Sequence, residues 1–143
     1  MKKPIQRSNF RRTLGSCYYQ LKRHLQWHYS NRKWACTYVS QPLAVPVFRH
    51  KTPLFRKLKD IDMWMQHNKV NNLEIAAGKL NKIIIHPGET FSFWRLVGKP
   101  TGRKGYLEGM MLDHGRVVSS IGGGLCQLSN LIYWAALHTP LTV

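Results

Sequence analysis

Acidic residues are scarce in this chain of 143 residues: six Asp and Glu stand against 22 Lys and Arg, a formal charge of +16. Such a surface is unsuited to cations and implies anionic partners: nucleic acid, an acidic membrane surface, or the anionic polymers of a cell envelope. Cysteine is equally sparse. Cys17, Cys36 and Cys126 form no CxxC pair and leave at least one thiol without an intrachain partner. That excludes a disulfide framework and a zinc ribbon, and it suits a reducing compartment without requiring one. Long apolar runs are missing too. The longest, Leu131 to Leu137, falls far short of the roughly 20 residues a bilayer span needs. No apolar segment follows the basic start, so no signal peptide is visible. The default expectation is a cytoplasmic chain or one peripheral at the membrane. Nothing implies a cofactor or a metal.

The charge is unevenly spread. Residues 1–60 hold 14 Lys and Arg and one acid, Asp60, whereas residues 61–143 hold eight and five. Within the basic part, Leu14, Tyr18, Leu21 and Leu25 recur at helical spacing with Lys22, Arg23 and His24 on other faces. This predicts a basic amphipathic helix. It either lies on an anionic membrane or, as the plainer expectation, docks on the domain by its Leu/Tyr face. Tyr18, Tyr19, Trp27, Tyr29 and Trp34 interleave with the basic residues, but no nucleic-acid module motif accompanies them. Nucleic acid is therefore the weakest of the three partners. Pro42, Pro46 and Pro53 then mark an extended linker or edge strand over residues 40–53.

The remainder alternates helix and strand signals. Leu73, Ala76, Ala77 and Leu80 predict a helix over about residues 70–81, with Asn71 or Asn72 capping its start. Ile83-Ile84-Ile85 reads as a buried strand, closed by the turn His86-Pro87-Gly88-Glu89. Phe91 and Phe93 alternate with Thr90 and Ser92 as a second strand. Met110-Met111-Leu112 and Arg116-Val117-Val118-Ser119 flank Asp113-His114-Gly115, a hairpin pattern. Leu128, Leu131, Ile132, Ala135 and Ala136 predict a helix over about residues 126–138, buried on most sides, with Tyr133 and Trp134 in the core. Leu141-Thr142-Val143 reads as the start of another strand, so the expectation is of a domain that continues past this point. The fold class is α+β: a small mixed or antiparallel sheet, a buried helix after a Gly-rich loop, and a basic helical N-terminal part.

The chemically richest segment is Ile121-Gly122-Gly123-Gly124-Leu125-Cys126-Gln127. Three glycines lead into a cysteine at a helix start, where free N–H groups and the positive end of the dipole favour a thiolate. The glycine backbone, or the amide of Gln127, offers donors to an oxyanion as acyl transfer requires. The plain alternative is a small buried thiol under a tight turn. A nucleophilic cysteine needs a nearby base, and His86, His114 and His138 are candidates within the chain. His138 lies twelve residues on along the same helix, about 18 Å away at 1.5 Å per residue, too far to serve. His86 and His114 sit at turns and read as structural first. Ser129 reads first as a first-turn hydrogen bonder, and Ser129, Glu89 and His86 are second-tier site candidates.

Several segments together resemble the VanW-like family, encoded in some vancomycin-resistance operons and widespread in Gram-positive bacteria. They are Lys69-Val70-Asn71-Asn72-Leu73, His86-Pro87-Gly88-Glu89-Thr90-Phe91-Ser92-Phe93-Trp94, Gly105-Tyr106, Gly122-Gly123-Gly124-Leu125-Cys126-Gln127-Leu128-Ser129-Asn130-Leu131 and His138-Thr139-Pro140-Leu141-Thr142. The likeness divides the chain into a basic region with its linker, residues 1–50, and the N-terminal portion of a VanW-like domain, residues 51–143. VanW domains in some clostridial envelope proteins look like cysteine L,D-transpeptidases, which join peptidoglycan stem peptides through a thioester. By that resemblance Cys126 is the nucleophile, and the base is the His of an Arg-x-x-His-Ser segment that this sequence does not contain. The implied partners are peptidoglycan stem peptides or another anionic envelope polymer. The alternative is a non-catalytic resistance accessory, an envelope-binding module, or an inactive truncated remnant.

Overall fold

A computed structural model describes residues 8–41, 43–55, 62–113 and 115–143. Pro42 and His114, which the sequence assigns to a linker and a hairpin turn, lie outside the described residues. The first helix, α1 (Asn9–Tyr29), is capped by Ser8, whose side chain accepts from the N–H of Arg11. Two short strands follow, β1 (Lys33–Trp34) and β2 (Thr37–Tyr38), and then the longest helix after α1, α2 (Met63–Leu80). Beyond it come β3 (Ile83–Ile84), β4 (Glu89–Thr90), the one-turn α3 (Phe93–Val97) and a 3-10 turn at Gly102–Lys104. The hairpin β5 (Glu108–Asp113) and β6 (Arg116–Ile121) leads through the glycines into α4 (Leu125–Ala136).

The fold is α+β, but its strands form three separate two-stranded ladders rather than one sheet. β1 pairs with β4 in parallel, β2 with β3 antiparallel, and β5 with β6 antiparallel, with Glu108 opposite Ile121 and Asp113 opposite Arg116. The predicted strand through Phe91 and Phe93 is only Glu89–Thr90, because Phe93 opens α3. Residues 141–143 form no strand.

α2 organises the molecule: β5, α3 and α4 all pack against it. It begins seven residues before the predicted start, so Asn71 and Asn72 lie mid-helix and cap nothing. Its buried face is Gln66, Lys69, Asn72, Leu73, Ala76 and Leu80, a helical stripe of three- and four-residue steps written half in polar residues. Leu73, Ala76 and Leu80 meet Val97, Tyr106 and Leu125 in the core, with Phe91, Phe93, Leu96, Leu128 and Ile132 against its edge. Two expectations change here. Only Leu125 of α4 is fully buried, so that helix is not enclosed on most sides. Tyr133 and Trp134 are exposed rather than core, because α4 presents one edge to α2 and the other to an open groove. Among the described residues, no helix is long and apolar enough to cross a membrane.

Candidate functional site

Each glycine of the triplet meets its own steric demand. Gly122 and Gly124 have left-handed backbone, φ 79° and 92°, a region that costs any residue with a Cβ. Gly123 lies against the backbone of Gly109 on β5, so closely that a Cβ on Gly123 would enter the Gly109 carbonyl. A Cβ on Gly124 would enter the aliphatic stem of Lys69. The turn is closed by two of its own N–H groups: Gly122 donates to Leu107 O at 3.0 Å and Gly123 to Ser120 O at 2.9 Å.

Asn72 fixes this turn from α2. Its Nδ2 donates to Leu107 O at 2.9 Å and Gly123 O at 3.0 Å, and its Oδ1 accepts from Leu107 N at 2.8 Å. The side chain is 0% exposed, so three satisfied bonds remove what would otherwise be a large desolvation cost. Asn68 and Asn71 extend the grip by donating to Glu108 O and Gly105 O.

Directly after this buried turn, Cys126 emerges as an exposed residue on the first turn of α4. The plain reading of Cys126 as a buried small hydrophobe is therefore overturned. The flanking N–H groups are engaged, Leu125 to Gly122 O at 3.5 Å and Gln127 to Gly124 O at 3.0 Å. The N–H of Cys126 has no backbone acceptor among the described residues, as expected near a helix start.

Cys126 opens into a groove of about 410 Å³ lined also by His50, Thr52, Gln66, Lys69, Met110, Gln127, Asn130, Leu131 and Trp134. One wall is a strap, residues 46–55, laid across α4 and α2. Phe48 stacks on His138 with centroids 4.3 Å apart, and His50 meets the edge of Trp134 at 6.4 Å. Gln127 Nε2 donates to Pro53 O at 3.5 Å, and Lys69 Nζ donates to Leu54 O. Behind the groove, Lys69 Nζ also donates to Gln66 Oε1 at 2.7 Å. Gln66 is 1% exposed, and its Nε2 donates to no acceptor among the described residues while the residue lines the groove.

The remaining sequence candidates fall elsewhere. His86 and Glu89 close the β3–β4 turn on each other, His86 N–H donating to Glu89 Oε2 at 2.9 Å, and neither lines the groove. Ser129 Oγ donates to Cys126 O at 3.0 Å, the expected first-turn bond. His138 Nδ1 lies 2.8 Å from Trp134 O and is held in the turn after α4. Sequence reasoning missed His50, Gln66 and Lys69. The three-residue step Gln66, Lys69, Asn72 was the available signal for the two on α2. No group of three His, Cys, Asp or Glu among the described residues could hold a metal ion.

The model of the family described as VanW like protein matches residues 68–143. The chain belongs to the VanW family. It is 43% identical over 110 residues to the vancomycin B-type resistance protein VanW of Enterococcus faecalis (strain ATCC 700802 / V583), covering 77% of this chain and 40% of that protein. It is 32% identical over 76 residues to the uncharacterized protein YoaR of Bacillus subtilis (strain 168), covering 53% of this chain and 25% of that one. The matched part of the chain thus spans less than half the length of either relative. No solved structure matches it.

Proposed function

We propose that this chain carries the nucleophile of a peptidoglycan-active cysteine acyltransferase, with a thioester formed at Cys126. The observation that supports this most is the exposure of Cys126 on the first turn of α4, directly after a turn whose glycines are buried, in the groove that His50 also lines. A merely structural thiol in that turn would point inward with Leu125. The enterococcal relative is a vancomycin resistance protein, which agrees with a cell-wall substrate.

The chemistry follows from the groups at hand. The Cys126 proton passes to the His50 imidazole, and Sγ adds to a carbonyl carbon of a stem peptide. The resulting oxyanion faces the N–H of Cys126 and the Nε2 of Gln66. Collapse breaks the C–N bond, and the departing amine of the terminal D-residue takes the proton from His50. A second stem-peptide amine, or water, then attacks the thioester and releases the thiol. Met110, Leu131 and Trp134 give the open groove an apolar wall against which a stem peptide can lie.

Incubating the protein with muropeptides, quenching in acid and measuring intact mass tests this reading. The expected result is an adduct of stem-peptide acyl mass on the parent that is missing from Cys126→Ala. An adduct that persists in Cys126→Ala, or a parent that never forms one, overturns it.

A further inference from the structure

The apolar face of α1 does not dock on the domain. At 3.6 residues per turn, Phe10, Leu14, Tyr18, Leu21 and Leu25 fall within about 80° of one another. Phe10, Leu14, Tyr18 and Leu21 are each at least 60% exposed and Leu25 is 48% exposed. The helix is held by its other side. Arg12 Nη2 pairs with Asp113 at 3.0 Å on the hairpin tip, and Trp27 O accepts from Arg95 Nη1 at 3.0 Å. Arg12 lies about 180° around the helix from Leu21, so the contacts that orient α1 turn its apolar stripe outward.

We propose that α1 is an interfacial helix that seats this stripe in the surface of an anionic lipid bilayer. The charge pattern selects that occupant. α1 contains Arg11, Arg12, Lys22 and Arg23 and no acid, and Arg11 and Lys22 border the stripe, where their stems can follow the apolar face while their charges reach headgroups. The stripe runs about 22 Å from Phe10 to Leu25. It is continuous and bordered by cations with no acid on the helix, a pattern matched by a surface of closely spaced anionic headgroups. Tyr18, at the edge of the stripe, supplies an aromatic ring suited to the headgroup level. This surface is independent of Cys126, so it stands or falls apart from the acyl-transfer reading.

Co-sedimentation of the protein with vesicles of phosphatidylglycerol, and separately of phosphatidylcholine, tests the proposal. Binding to phosphatidylglycerol vesicles at least tenfold stronger, and weakening with added salt, is expected. Leu14→Glu/Leu21→Glu, with helicity checked by circular dichroism, should lose that binding at least tenfold. Arg11→Gln/Lys22→Gln should weaken it about fivefold per charge. Equal binding to both vesicles, undiminished binding of the glutamate variant, or a dimer in ultracentrifugation that only the glutamate variant dissolves would each overturn the assignment.

Discussion

Asn72 in the middle of α2 holds the carbonyl of Gly123 at 3.0 Å across a sequence separation of 51 residues. The same amide clamps both backbone groups of Leu107, so one side chain sets the position of the turn that launches Cys126.

Asn72→Leu is expected to destabilise the protein by about 2–4 kcal/mol, because Gly123 O and the Leu107 N–H lose this partner at once and Leu107 O keeps only the Gly122 N–H. A lowered urea midpoint with an unchanged slope would show it. Asn72→Asp should recover only part of the loss, since a carboxylate accepts from Leu107 N but cannot donate.

Gly123→Ala directs a methyl into the Gly109 carbonyl, a backbone group with no side chain to swing away. Overpacking of this kind costs about 1–3 kcal/mol. Thermal unfolding should register it, and Gly109→Ala should give a comparable loss, because its Cβ would meet Gly123 O at 2.9 Å.

Cys17, Cys36 and Cys126 are all exposed, so a difference in their alkylation rates reports chemistry rather than access. Iodoacetamide at neutral pH should modify Cys126 first, as peptide mapping would reveal. His50→Ala should slow Cys126 alone, severalfold. Equal slowing of all three would mean that His50 supports the fold and not the thiol.

Gln66→Leu removes the amide that lines the groove and also the oxygen that accepts from Lys69 Nζ. The expected outcome in the muropeptide assay is adduct formation slowed about tenfold to a hundredfold, the scale of losing one oxyanion donor. Gln66→Glu restores an acceptor for Lys69 without a donor, so it should regain stability and not rate.

Tyr106 is 2% exposed and its hydroxyl has no partner among the described residues. Burial raises its phenol above the usual tyrosine range. Below about pH 10 the phenol is neutral in both states. Above that the unfolded chain ionises first and holds fewer protons, so stability falls as pH rises. Tyr106→Phe should flatten this alkaline decline without weakening the protein at neutral pH, measured by urea midpoints from about pH 8 to about pH 11.

The parts of the site that sequence reveals are those with steric or periodic signatures. The glycine run, the hairpin partners Met110 and Ser119, and the start of α4 near Cys126 all declare themselves this way. α2 was legible only in its second half. Gln66, Lys69 and Asn72 occupy its buried face but are polar, so apolar periodicity begins at Leu73 and misses the first two turns. The strap was hidden for a different reason. Its prolines exclude helix, but no local pattern encodes that Phe48 will stack on His138 or that His50 will meet Trp134. The outward apolar face of α1 was visible as a face, while its direction depended on Arg12 reaching Asp113, a pairing of residues 101 apart.

The strap is tied down through the main-chain oxygens of Pro53 and Leu54, which take hydrogen bonds from Gln127 and Lys69. Every amino acid carries such an oxygen. The identity of the side chains along this wall is therefore decoupled from these two anchors, and Thr52, which lines the groove, can be exchanged without releasing them. Variation there would retune which acyl groups fit while the thiol and its turn stay as they are.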